Sequence, residues 1–500
     1  MRLVFLAGLL AATLPALAQP ASPWLPQAEA LSVEIDGLRQ RLDIPGLAMV
    51  VVHDGEAIYR SAMGTTRNGR PFATDTPLRI ASVTKSLTAV LIMQAVENGE
   101  LALTDPVTDY LPDYEGSPET TIYHLLTHTS EGRLGAEFVY STMRYARLAD
   151  ILAAATGRPF ESMIRERIMQ VAGMRWYPSP NLGAHAGLVS TADGLAAYAR
   201  ALDQGLLLSA AMQQALMSPQ VSVTTHDPLP VGLGWFSQTV QGVRVVWSFG
   251  QDDPDHSGAL LLRLPDLGFT FVLLANANVL SDPFRLLMGD VRLSPFAMAC
   301  IRLFAFSPAG APLAAPDRGT ELAEQLDLLE RASPYRFAEE LTGHLLVDIR
   351  RGDRTAARAT WDLLTSRYPA YAREPNGGLL IPLLQSQDPA MTAAAVAMGE
   401  RLLPDHPLNR WILWPMAMLY ENAGEDDRAI ALYERILVLP DQAPDFLHAL
   451  FQAWAGTGLG RLWAERDPEK ARAYLEEVLK LDVEDEAEEA RALLERLDGR

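Results

Sequence analysis

Cysteine is almost missing from this 500-residue chain. Cys300 is the only one, which excludes a disulfide framework and a cysteine-ligated zinc site. Basic charge is also short: 42 Lys+Arg stand against 62 Asp+Glu, a formal net charge of −20, so nucleic acid is not an expected partner. After the first 17 residues, no run approaches the ~18 consecutive apolar residues of a membrane-spanning helix. No glycine-rich phosphate loop is visible. Lysine is the rarest charged residue. Lys85, Lys470 and Lys480 are the only three, and arginine supplies every other basic position. Arginine cannot give up its proton in a protein, whereas a desolvated lysine can act as a base. A lone lysine at position 85 therefore needs a chemical reason. What remains is ordinary globular composition, 49% hydrophobic and 21% charged, long enough for two or three domains.

Residues 1–18 read as a signal peptide. Arg2 gives a positive start, Leu3 to Leu17 is apolar apart from Thr13, and Ala16-Leu17-Ala18 offers the small residues that cleavage needs. The run is short and interrupted by Pro15, so a retained membrane anchor is the weaker alternative. No cysteine follows it to carry a lipid. The expected mature protein is periplasmic or secreted, with no transmembrane anchor.

Two regions follow, separated by a Pro/Gly/Ala-rich linker at 307–319. In residues 22–306, strand signals sit at both ends. Leu47 to His53 and Ala57 to Ala62 flank an Asp54-Gly55 hairpin turn, and Val243 to Trp247, Ala259 to Leu264 and Phe269 to Leu274 come late. Amphipathic helices fill the middle: Ser82 to Val96, Ala149 to Ala155, Phe160 to Val171 and Ala192 to Leu202. An α+β fold follows, with a five-stranded antiparallel sheet and a helical lobe making a cleft. Residues 320–500 lack strand signals. Ala395 to Leu403 is echoed 34 residues later by Ala429 to Leu437, with looser copies near Ala357 to Leu364 and Ala471 to Leu479. That period is the one of tetratricopeptide helix pairs, so this part is expected to be a degenerate all-α repeat; a plain helical bundle is the alternative. Such arrays bind a protein partner or brace a neighbour.

The chemistry concentrates in Ile80 to Met93, IASVTKSLTAVLIM. Ser82 and Lys85 are three apart at the start of a predicted helix, so they share one face. A serine hydroxyl becomes a nucleophile when a neighbour takes its proton, and a partly buried lysine amine can do so. A helix N-terminus adds N–H donors for an oxyanion.

Together with YHLLTHTSEG at 123–132, FVYS at 138–141, HAGLVSTADGLAAY at 185–198 and GLGW at 232–235, this stretch resembles the serine β-lactamase and penicillin-binding peptidase superfamily. The likeness is to its broad branch of β-lactamase-related serine hydrolases and esterases, over residues 25 to 305. The resemblance implies Ser82 as the acylated nucleophile, Lys85 as its base and Tyr140 as the second-motif tyrosine. That phenol shuttles a proton to the leaving group or helps to deprotonate the serine, and which group is the base stays open. No metal and no cofactor are implied. The substrate would be a small ester, amide or peptide.

Two positions depart from the family pattern. Thr142 stands where an asparagine is usual. In Val246-Trp247-Ser248-Phe249-Gly250-Gln251, anchoring on Gly250 puts Ser248 in place of the third-motif cation and makes the Gln251 N–H the second oxyanion donor. His256-Ser257-Gly258 is the alternative anchor. Without that cation, esterase chemistry is expected over binding of a substrate carboxylate. A catalytically impaired pseudo-enzyme, kept as a cell-envelope peptide or protein binding module, is the alternative. His124 and His128 have the spacing of a zinc pair, but no third ligand is evident; a structural turn beneath the cleft is expected instead. Trp235 and Cys300 are expected to be packing residues.

Overall fold

A computed structural model describes residues 22–222, 230–252, 256–316, 322–439, 446–481 and 483–498. The signal peptide expected at 1–18 and positions 317–319 of the linker lie outside the described residues.

The described chain opens with helix α1 (Leu25–Arg41). Strand β1 (Gly46–His53) then turns back into β2 (Glu56–Gly64). Asp54 and Gly55, at φ 48° and 76°, both adopt the left-handed conformation that a two-residue hairpin turn demands. Helix α2 (Thr84–Glu97) follows. The helical lobe adds, among others, α3 (Thr142–Ala146), α4 (Leu148–Thr156) and α5 (Ala192–Asp203). The chain then makes β3 (Phe236–Val240), β4 (Val243–Asp252), β5 (Ser257–Leu264) and β6 (Phe269–Ala275), and closes this region with α6 (Pro295–Ala305).

The sheet is antiparallel in the order β2-β1-β6-β5-β4-β3, extended beyond β3 by the two-residue segments Pro230–Val231 and Val221–Ser222. The five predicted strands are its first five members. The extra width comes from β3, FSQTV, whose polar Ser237 and Gln238 break the apolar pattern that marks the others. Gln238 is a buried strand residue because its amide donates to Asp290 Oδ1 at 2.9 Å and accepts from the Val291 N–H at 3.0 Å. Strand β4 runs five residues past its predicted end and so carries Gly250 and Gln251.

Both faces of the sheet are covered, which explains why its central strands read as unbroken apolar runs. Alternate residues divide between two cores. Ala48, Val50, Val272 and Leu274 face α2, α4 and α5. Leu47, Met49, Phe271 and Leu273 face α1 and α6.

That second core continues across the linker. Ser307–Pro316 has no regular structure, and among the described residues ten α-helices follow: α7 (Leu322–Ala332), α8 (Ala338–Arg350), α9 (Arg354–Arg367), α10 (Gly377–Gln385), α11 (Pro389–Leu402), α12 (Arg410–Asn422), α13 (Asp426–Leu437), α14 (Phe446–Trp463), α15 (Pro468–Val478) and α16 (Glu484–Asp498). Short turns join α8 to α9, α10 to α11, α12 to α13 and α14 to α15 as hairpins. Each of the four similar sequence segments falls on the second helix of one hairpin. Residues of α8, α10 and α12 share one buried cluster with α6 and the sheet face. Its polar centre is Arg302 of α6, fully buried, whose Nε donates to Glu340 of α8 at 3.2 Å and whose other nitrogens reach Glu34 of α1 and the Leu313 carbonyl. Among the described residues, no helix is long and apolar enough to cross a membrane. Trp235 and Cys300 are core residues.

Candidate active site

Ser82 is the middle residue of a 3-10 turn, Ala81–Val83, that leads directly into α2. The α-helix therefore starts two residues later than the sequence pattern suggests, but the three-residue spacing still puts Ser82 and Lys85 on one side. Ala81 holds φ 46°, a strained position for a residue with a Cβ. The turn is pressed against β4. A Cβ at Gly250 would lie 2.2 Å from the Ile80 carbonyl oxygen and 3.2 Å from the Ala81 Cβ, so only glycine fits there. A Cβ at Gly258 would instead meet the Ala277 carbonyl, on the side away from the Ser82 turn. The Ser257 hydroxyl donates to the Arg79 carbonyl at 2.9 Å, which gives His256-Ser257-Gly258 a bracing contact.

Lys85 Nζ donates to Ser82 Oγ at 2.9 Å and to the His185 carbonyl at 3.0 Å. Burial lowers the Lys85 amine from its ordinary value to about 7. Ser82 lies close enough to the Tyr140 phenol to offset part of its burial, and Lys85 Nζ sits 5.0 Å from the centre of the Tyr140 ring. Burial pushes the Tyr140 phenol up, so it keeps its proton at neutral pH. The structure thus brings Ser82, Lys85 and Tyr140 together. Gly250 flanks them, with Gln251 next along β4. The Gln251 side chain reaches Asp282 at 3.4 Å and Ser281 at 3.5 Å. Thr142 opens α3, two residues beyond Tyr140, in a turn capped by the Ser141 hydroxyl.

Three further contributors lie outside the residues that the sequence assigned to the site. The first is the 184–188 segment, laced along α2: Thr88 donates to the Ala184 carbonyl at 2.8 Å, and the Ile80 N–H donates to the Leu188 carbonyl at 2.9 Å. This segment holds the His185 carbonyl against Lys85. The His185 ring itself is lowered to about 4, first by burial and then by the Lys85 charge, and is neutral. The second is Tyr145, whose hydroxyl donates to the Lys85 carbonyl at 2.9 Å. Gly234 of the GLGW stretch, at φ 71°, leaves room for that hydroxyl: a Cβ would stand 2.4 Å from it. The third is His128. Its ring stacks on Tyr140 at 4.4 Å, and its Nδ1 accepts the Ser141 N–H at 3.2 Å. Burial and the Lys85 charge hold the imidazole well below its usual range, so it is neutral, with the proton on Nε2.

The lone pairs a metal would need are otherwise engaged, since His124 Nδ1 accepts the Thr121 N–H at 3.0 Å. Among the described residues, no group of three or more His, Cys, Asp or Glu is placed to hold a metal ion. The arrangement is suited to acyl transfer: a hydroxyl hydrogen-bonded to an amine that titrates near neutrality, with a protonated phenol beside them.

Comparison with known proteins places the chain in a family. A family model described as Beta-lactamase matches residues 34–288. Esterase EstB of Burkholderia gladioli is 46% identical over 101 residues, 19% of this chain and 26% of that one. The D-alanyl-D-alanine-carboxypeptidase/endopeptidase AmpH of Escherichia coli (strain K12) is 29% identical over 181 residues, 27% of this chain and 46% of that one. Penicillin-binding protein 4 of Amycolatopsis lactamdurans is 28% identical over 341 residues, 51% of this chain and 88% of that one. The chain thus spans less than half the length of the first two.

Proposed function

The chain belongs to the β-lactamase family, whose model covers residues 34 to 288, and on that premise we propose that it is a serine hydrolase working through an acyl-enzyme on Ser82. The observation that carries this reading is the 2.9 Å contact from the Lys85 amine to Ser82 Oγ, with the Tyr140 ring centre 5.0 Å from the same amine. The two groups divide the proton work. Burial draws the amine down to about 7 and drives the phenol up, so neutral Lys85 takes the Ser82 proton. Ser82 Oγ then bonds to the substrate carbonyl carbon. The developing oxyanion accepts from the N–H groups of Ser82 and Gln251. Tyr140 passes its proton to the leaving group as the bond to the acyl carbon breaks, and regains one from the Lys85 ammonium; water then bonds to the acyl carbon, giving its proton to the neutral Lys85, and the Ser82 Oγ–carbon bond breaks as that proton returns to Oγ.

Ser248, in the place of a cation, favours esters or amides of modest size over substrates recognised by a carboxylate. The EstB similarity supports an esterase. Export is supported by the apolar stretch that ends at Ala16-Leu17-Ala18. A second reading, a binding module without turnover, draws on Thr142 and Ser248 at positions where the family places an amide and a cation.

The deciding experiment is mass spectrometry after exposure to a fluorophosphonate, an activated ester and a penicillin. An adduct on Ser82, absent from Ser82→Ala, is expected from at least one probe. No adduct from any of them, with ligand binding unchanged in Ser82→Ala, would establish the binding module instead.

The pH profile gives an independent check. The amine accepts a proton only as the free base, so kcat/KM is expected to rise with pH on the acid side and level off above about 7. A profile flat from about pH 5 to about pH 9 would remove Lys85 from the role of base.

A further inference from the structure

The loop bearing Tyr140 is gripped from two sides. His128 grips it from the helical lobe: its carbonyl accepts the Val139 N–H at 2.8 Å, and its Nδ1 accepts the Ser141 N–H at 3.2 Å. The other grip comes from beyond the linker, in the turn between α11 and α12. There the Leu408 N–H donates to Glu137 Oε1 at 3.3 Å, and Asn409 Nδ2 donates to the Phe138 carbonyl at 3.3 Å. Arg133 donates to the Asp405 carbonyl at 2.9 Å. Glu137 has no exposed side-chain surface, and Asn409 is 2% exposed. Glu137 Oε2 also accepts the Arg133 N–H at 3.4 Å, closing the loop on itself. Buried polar contacts of this kind fix a position as well as covering area, because an unmatched partner is costly.

From these contacts we propose that the α11–α12 turn is a clamp that sets the position of Tyr140, with Asn409 and Glu137 as its positioning residues. The helical repeat thereby holds the phenol against Ser82, two residues along the chain from the clamped Phe138 carbonyl. The proposal rests on Tyr140 moving the proton, as argued above. Asn409 does two separable jobs, since its Oδ1 also caps α12 by accepting the Trp411 N–H at 3.0 Å. Without its Nδ2, the Phe138 carbonyl loses a buried donor and the 138–140 backbone is free to shift.

The full chain tests this with two replacements that keep a capping oxygen on α12. Asn409→Ser is too short to reach Phe138, and Asn409→Asp has the same shape but no N–H. Hydrolysis of an activated ester is expected to lose about tenfold in kcat with KM little changed, as a small misplacement of a catalytic group does. The thermal midpoint should stay close to that of the parent in at least one of the two variants. In a Tyr140→Phe background the same replacements should cause no further loss, because the group they position is already gone. An unchanged kcat in both variants, an equal fall in the Tyr140→Phe background, or unfolding of both would each overturn the clamp. A Tyr140→Phe chain with full activity would overturn the role of Tyr140 itself, a result visible before Asn409 is touched.

Discussion

Lys85→Arg should lower kcat/KM for ester hydrolysis by roughly 10²–10⁴, the range lost when a general base is removed. The replacement keeps a positive charge beside Ser82, so an electrostatic role alone would survive it. It removes the one property that the parent residue has and arginine lacks, an accessible neutral form. The side chain is buried, its amine falls to about 7, and Ser82 Oγ lies 2.9 Å away. A guanidinium at the same site stays protonated across the working pH range and donates to Ser82 without accepting. The measurement is steady-state hydrolysis, followed by the rate of Ser82 labelling with a fluorophosphonate. Both should fall together if the lost step is acylation. Activity within a few fold of the parent would mean that another group takes the Ser82 proton.

Glu340→Ala is the second large expected effect, and it concerns stability. Arg302 has no exposed side-chain surface, and Glu340, 3% exposed, receives its Nε at 3.2 Å. The same carboxylate accepts the buried Tyr335 hydroxyl at 2.9 Å. Removing it strands a buried cation and a buried phenol at once. Breaking a buried pair from one side costs about 3–5 kcal/mol. The loss should lie toward the lower end, because Glu34 still faces Arg302. Glu340→Gln keeps an acceptor for Tyr335 and should lose less. Urea unfolding of the full chain gives the comparison. Since Arg302 belongs to α6 and Glu340 to α8, a large loss would also show that the helices after the linker contribute to the stability of the sheet region. A change below about 1 kcal/mol, typical of a solvated surface pair, would contradict that.

The central strands and the pairing of Ser82 with Lys85 were legible in the sequence for separate reasons. Strands covered on both faces must be apolar throughout, so Phe269 to Leu274 could hardly be anything else. The scarcity of lysine marked Lys85, and the three-residue spacing tied it to Ser82. Strand β3 was not legible, because two polar residues, Ser237 and Gln238, interrupt it, and Gln238 is buried through hydrogen bonds to the 290–291 segment, a partner more than 50 residues away. Likewise the His185 carbonyl is a backbone atom, and no residue type announces it. His128 was readable as a turn residue but not as the plate beneath Tyr140, because stacking depends on two loops meeting.

Composition alone set which residue types could carry chemistry here: a single lysine in the first 469 residues, a single cysteine and a net charge of −20. Residue order set the helical turn that aligns hydroxyl and amine, since three-residue spacing is a property of the backbone. Tertiary structure decided the rest. An amine titrates near 7 only when other segments strip its water away, and a phenol stands beside that amine only when a distant loop is held in place. Desolvation and long-range contact belong to the folded arrangement, and no window of sequence contains them.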